Sequence, residues 1–193
     1  MTKGKVEEYI KTIVSYSNRT SYKFYLLLAI LEFGKKYDEL SFESCGREML
    51  VQAWNDISNS NYYFSKIDKL IEIKNDILFR ENALEYCSKE EIRLLLTNTN
   101  SSKTKSYFSY LTQYCVYLLL SYGQWNEKLK SIKNYHKVHA LIENLSQTES
   151  CLYEIHNNAI ILNSEYFDII NQDVSLFEGI VKEALGHYLS KVK

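Results

Sequence analysis

Proline is absent from this 193-residue chain, and glycine occurs only six times. Sandwiches and barrels need frequent punctuated turns, so both scarcities argue for long uninterrupted helices. Net charge is nearly absent as well: 23 Lys and Arg against 24 Asp and Glu leave −1. No global field therefore draws the chain to nucleic acid or to a membrane surface. Low net charge together with 46% hydrophobic residues excludes an extended disordered chain. Long apolar runs are missing too. The longest, Tyr25–Leu31 and Cys115–Leu120, fall far short of the ~20 residues that span a bilayer. The opening MTKGKVEEYIKTIVSY mixes charges among its apolar residues and lacks the apolar centre of a signal peptide. The four cysteines, Cys45, Cys87, Cys115 and Cys151, form no C-x-x-C pair, and the four histidines complete no zinc set. His136 and His139 stand three apart and read as surface histidines before they read as metal ligands. The expectation is a cytoplasmic chain with reduced thiols, no metal and no cofactor.

What is present is helical periodicity, enough for one domain with a continuous core over 1–193. Lys5–Tyr16 is amphipathic, and Tyr22–Tyr37 is apolar nearly all round, as a central core helix is. Ser41 is placed to cap a third helix reaching about Ile57. Ser58–Tyr63 reads as a loop. Ser65-Lys66-Ile67-Asp68 and Ser88-Lys89-Glu90-Glu91 both resemble capping boxes, opening helices to about Asn75 and over Glu90–Thr97. Asn98–Lys105 is the most loop-like stretch and marks a division between halves, 1–97 and 106–193. Ser106–Tyr122 is rich in tyrosine and reads as helix, with Val116–Leu120 alone also compatible with a strand; Gly123 ends it. Asn126–Leu145 follows as a longer amphipathic helix. Cys151–Ile155 and Ala159–Leu162 alternate around His156-Asn157-Asn158, the pattern of a β-hairpin near 151–162. Helices over Ser164–Asn171 and Val174–Lys191 close the chain. The fold class is mainly α: a compact multi-helix domain with one short hairpin.

No glycine-rich phosphate loop and no G-x-S-x-G turn occurs. Glu90-Glu91 suits a helix N-terminus, where the macrodipole favours acids, better than it suits catalysis. Tyr107, Phe108, Tyr110, Tyr114, Tyr117 and Tyr122 lie near Lys103 and Lys105, which permits base stacking; a tyrosine-lined core margin is the plainer reading. The segment holding Lys128, Lys130, Lys133, Asn134 and Lys137 carries the DNA-binding candidates. On a continuous helix Lys130, Lys133 and Lys137 share one side, from which they reach phosphates. A solvated lysine face is the alternative. Helix–helix–hairpin is also the order of a winged helix-turn-helix, which is one reading of the C-terminal half.

One resemblance is more specific. Thr20-Ser21-Tyr22-Lys23-Phe24 running into Leu26-Leu27-Leu28-Ala29-Ile30-Leu31, then Ser41-Phe42, Met49-Leu50 and Ala53-Trp54, resembles the opening of prokaryotic HNH-endonuclease-domain proteins. Leu152-Tyr153-Glu154-Ile155 and Ile160-Ile161-Leu162-Asn163 resemble that group's hairpin, and Asn171 its helix-ending asparagine. The similarity brackets residues 18 to 191 and is poor in the middle third. Prolines of the related proteins are replaced here by Asn55-Asp56-Ile57 and Lys191-Val192-Lys193. The histidines and general base of the HNH unit have no counterpart. The resemblance thus implies the non-catalytic helical portion of a restriction or phage-defence protein. Such a portion is expected to recognise double-stranded DNA or to hold a larger nuclease or ATPase effector subunit. The alternative, which near-neutral charge and tyrosine-rich surfaces support, is a protein-interaction or homo-oligomerisation module without nucleic-acid contact. The resemblance further implies that Tyr22 and Lys23 open the central helix beside Trp54, with Lys23 toward a phosphate or a partner acid. The alternative packs Tyr22 and Trp54 as core and turns Lys23 outward.

Overall fold

Nine consecutive residues, Lys23 to Leu31, are buried on the second helix, so that helix has no solvent face at all. It is the axis of a computed structural model that describes residues 1–16, 19–129, 132 and 134–190. Around it run α1 (Lys3–Ser15), α2 itself (Tyr22–Phe33), β1 (Glu39–Ser41), α3 (Phe42–Ile57), α4 (Leu70–Glu81), α5 (Lys89–Asn98) and α6 (Ser102–Leu120). A π-helical turn, Ser121–Trp125, leads into α7 (Asn126–Leu129) and α8 (Tyr135–Thr148). The chain closes with β2 (Tyr153–His156), β3 (Ala159–Leu162), α9 (Ser164–Gln172) and α10 (Val174–Ser190). The mainly helical class holds, and no helix among the described residues is long and apolar enough to cross a membrane.

The hairpin forms where alternation placed it. Asn157 (φ 45°) and Asn158 (φ 64°) both take the left-handed conformation that a two-residue hairpin turn demands. Sequence reading missed a third strand: β1 pairs antiparallel with β3, giving the order β1-β3-β2 with Leu40 opposite Ile160. Strand β1 belongs to the first half of the chain and β3 to the second. Helix α3 also packs on α6, and one core runs from Val6 to Leu189, so the segment 98–105 does not divide the core.

Among the helix boundaries that differ from the periodicity, three have a visible reason. Helix α4 starts at Leu70, because Asp68 does not close a capping box. Its carboxylate instead accepts from the Ser21 amide (2.8 Å) and hydroxyl (2.6 Å) and from the Leu70 amide (3.2 Å). Helix α6 starts at Ser102, since the Ser101 hydroxyl caps it by accepting from the Thr104 amide. The lysine-bearing helix is broken: α7 ends at Leu129, and Ile132 and Asn134 lie outside any helix. The second capping box is real. The Ser88 amide donates to Glu91 Oε2 (2.7 Å) and the Glu91 amide to Ser88 Oγ (3.2 Å), which holds the Glu91 carboxyl below its usual range.

Two buried charges tie the helices together. Glu48 accepts from Arg93 Nε (2.8 Å) and Nη2 (2.7 Å) and from Gln52 Nε2 (2.8 Å), clamping α5 to α3. Lys74 donates to the Trp54 carbonyl (2.7 Å), the Glu85 carbonyl (2.8 Å) and the Ser58 hydroxyl, with its ammonium 4.8 Å from the Trp54 ring centre. Trp54 Nε1 in turn donates to the Leu84 carbonyl (3.2 Å). The α3 C-terminus and the α4–α5 connection are thereby one unit.

Candidate nucleic-acid interface

The residues singled out from sequence do not converge. Lys128 sits on α7 and pairs with Glu149 at 2.6 Å; the same carboxylate accepts from Trp125 Nε1 at 2.9 Å, and these bonds hold it below the usual range. The Lys128 charge is therefore compensated. Asn134 is the N-cap of α8, its side-chain oxygen accepting from the Lys137 amide at 3.2 Å. Lys137 is exposed on the first turn of α8. Lys130 and Lys133 lie outside the described residues, and the break between α7 and α8 removes the continuous helix on which they were aligned with Lys137.

Lys23 corrects both readings made of it. It is 1% exposed and turned inward. Its ammonium donates to the carbonyls of Ile13 (2.9 Å), Val14 (2.9 Å) and Tyr16, closing the C-terminal end of α1. All three donors are spent, so no phosphate or partner acid faces this group. Burial pushes its pKa down to about 8. Tyr22 is half-buried, and its hydroxyl accepts from the Lys69 amide at 2.7 Å; burial, then the charge of Asp68, pushes the phenol up. Trp54 has Lys74 and the Leu84 carbonyl as its partners, as described above.

A different set of side chains is brought together. The first turn of α8, the middle of α6, the start of α3 and the hairpin turn enclose a cleft of about 750 Å³, lined by Ser41, Tyr114, Tyr117, His136, His139 and the Asn157–Asn158 turn. Each is placed by its element. Ser41 caps α3, and Asn157 and Asn158 are where φ must be positive. His139 lies flat on Tyr117, with ring centres 3.9 Å apart and planes within 9°. Burial, then the nearby His136, pushes the His139 imidazole down, which keeps the stacked ring neutral at pH 7. Helix α8 is docked on β2 by side chains of its last turns: Ser146 Oγ accepts from the Ile155 amide (3.0 Å) and Gln147 Nε2 donates to the Ile155 carbonyl (2.9 Å). Among the described residues no group of three metal-ligating side chains occurs, in this cleft or elsewhere.

Sequence reasoning had the tyrosines of α6 and the asparagine turn, but nothing in it joined them. Pairing of β1 with β3 brings the turn to the start of α3; the Phe42 amide donates to the Asn158 carbonyl at 2.8 Å. Compared with protein-family models, curated proteins and solved structures, the chain matches none.

Proposed function

We propose that this chain is a non-enzymatic binding subunit of a prokaryotic defence-type complex, contacting double-stranded DNA and/or a larger nuclease or ATPase effector. One observation carries the DNA contact: the first turn of α8 lines a cleft with the hairpin turn through His136, and the next residue, Lys137, is exposed. A winged helix-turn-helix presents a helix to the major groove and a hairpin to the backbone in the same manner. Placing β1 beside the hairpin, in the order β1-β3-β2, supports that arrangement. The non-enzymatic reading rests on the resemblance, whose HNH histidines and general base have no counterpart in this sequence.

Duplex binding is tested by gel shift at two salt concentrations. The wild-type chain is expected to bind at low salt and to weaken steeply as salt rises. Lys137→Glu is expected to weaken binding evenly across sequences and to reduce the salt slope by about one. Absence of wild-type binding at low salt disproves the duplex reading.

A second reading, protein contact without nucleic acid, is favoured by the corner between α4 and α5. Phe79 is 88% exposed, Leu84 68% and Leu94 64%, and the exposed Glu85 and Glu90 stand nearby in sequence. Phe79 and Leu94 line one hollow with Arg80, Glu81 and Glu91, an apolar surface with charged edges that fits an effector segment carrying apolar anchors. The chain alone is expected to self-associate at high concentration through this corner. The double variant Phe79→Ser with Leu94→Ser is expected to stay monodisperse in sedimentation, with stability within about 0.5 kcal/mol of wild type because neither side chain is buried. A wild-type chain that sediments as a monomer at every concentration removes the support this corner gives.

A further inference from the structure

The outer face of α6 repeats tyrosine at intervals of three and four: Tyr107, Tyr110, Tyr114, Tyr117. That spacing sets the four on one side of the helix over ~15 Å. They are not all turned into the core. Tyr110 is 40% exposed and Tyr114 47% exposed. A hollow of about 250 Å³ opens between them, walled by Tyr22 and Tyr122 and lined by no carboxylate. Tyr110 is shared with a neighbouring hollow that holds Lys69, Lys103 and Tyr107. Tyr114 is shared with the cleft at α8 that holds Tyr117 and His136. The three hollows therefore form one track along the helix, aromatic in the middle and cationic toward the Lys103 end.

The solvent-facing lysines of the track gather at one end. At one end Lys103 lies 5.0 Å from the Tyr107 ring centre and Lys105 is exposed. The acids there are already taken: Glu72 pairs with Lys69 at 2.7 Å, and Asp76 with Arg80 at 2.6 Å while also accepting from the Tyr107 hydroxyl. At the other end the α8 cleft is lined, among the described residues, by His136, His139 and a single acid, Glu43, with no lysine or arginine. Exposed aromatic rings running from a lysine-bearing end match the chemistry of a single strand, in which unpaired bases stack and phosphates lie outside them. A duplex keeps its bases stacked within the helix and has nothing to place in a concave ring-sized hollow.

We propose that the tyrosine row of α6, centred on the hollow between Tyr110 and Tyr114, is a binding track for single-stranded nucleic acid. Its central hollow shares Tyr114 with the α8 cleft but is not lined by Lys137, so the two contacts are tested independently. It is tested by fluorescence anisotropy on the full chain with labelled oligothymidylate and labelled oligouridylate, which distinguish DNA from RNA as the source of the strand. The wild type is expected to bind at least one of them at low salt. Tyr110→Ala and Tyr114→Ala are each expected to weaken that binding about tenfold, and Tyr110→Phe and Tyr114→Phe to retain it, because the ring face and not the hydroxyl makes the contact. Both positions are well exposed, and an unchanged thermal transition separates lost binding from lost fold. No binding of either probe at low salt overturns the proposal, as does equal binding by wild type and the alanine variants. Self-association of the wild type that the alanine variants abolish, with neither probe bound, overturns it in favour of a protein interface. Duplex binding with no single-strand binding removes this proposal alone. Single-strand binding with no duplex binding removes the duplex reading and leaves this one standing.

Discussion

Replacing Gly46 by alanine is expected to cost about 3 kcal/mol of stability and to lower the thermal midpoint by ~10 °C. A Cβ at this position would lie 2.1 Å from the Phe108 carbonyl oxygen and 2.7 Å from its carbon, both backbone atoms of α6. Backbone cannot swing aside as a side chain can, so α6 must move off α3 along the contact that joins the two halves of the core. Relief of glycine's helix penalty, about 1 kcal/mol, offsets only a fraction of that cost. Position is the point of the test. Gly179 and Gly186 lie within α10 with nothing within 4 Å of an added Cβ. Alanine there is expected to stabilise the chain by about 0.5 kcal/mol at each site. Scanning calorimetry of the three variants checks the contrast, and a neutral Gly46→Ala would mean that α3 and α6 do not approach as closely as described.

The second large effect belongs to Lys23→Met. The methionine keeps the apolar stem but leaves the carbonyls of Ile13, Val14 and Tyr16 without the donor that now closes α1. An orphaned buried acceptor costs about 1–3 kcal/mol, and removing a buried charge returns some of its desolvation, so a net loss of about 3 kcal/mol is expected. A pH dependence gives this lysine its own signature. Its folded value of about 8 lies below the ordinary 10.5, because burial disfavours the charged form. Between those values the unfolded chain holds the proton more tightly than the folded one, so stability rises with pH through that window. The wild type should therefore gain on the methionine variant as pH rises from about 8 toward about 10.5, and lose that gain as pH falls through about 8. Urea titrations of both proteins on either side of about pH 8 measure it. Comparing the pair cancels the buried cysteines and tyrosines, whose raised values change stability in the opposite sense at alkaline pH.

Both residues show where reading the sequence stops. Gly46 stood unremarked inside an amphipathic stripe, since periodicity reports which face is apolar and not how near another helix comes. Lys23 was assigned a direction from its charge, whereas its direction is set by the carbonyls that α1 leaves open beside it. The same limit governs the lysine segment. Its pattern is compatible with one long helix, and only the placement of Ile132 and Asn134 outside any helix shows that Lys128 and Lys137 belong to different ones. Where both partners of a bond lie within a few residues, as in the Ser88–Glu91 capping box and the Asn157–Asn158 turn, the sequence reading was sufficient.

The scarcity of proline and glycine, together with the apolar periods, determined a mainly helical chain with a buried second helix and one hairpin, because those features depend on neighbours in sequence. Tertiary structure alone decided that β1 joins the hairpin, that Lys23 points inward, and that Tyr114 and Tyr117 of α6 line the α8 cleft. Each of these rests on a partner far along the chain, and a backbone group or a charge carries no sequence mark of the partner that satisfies it.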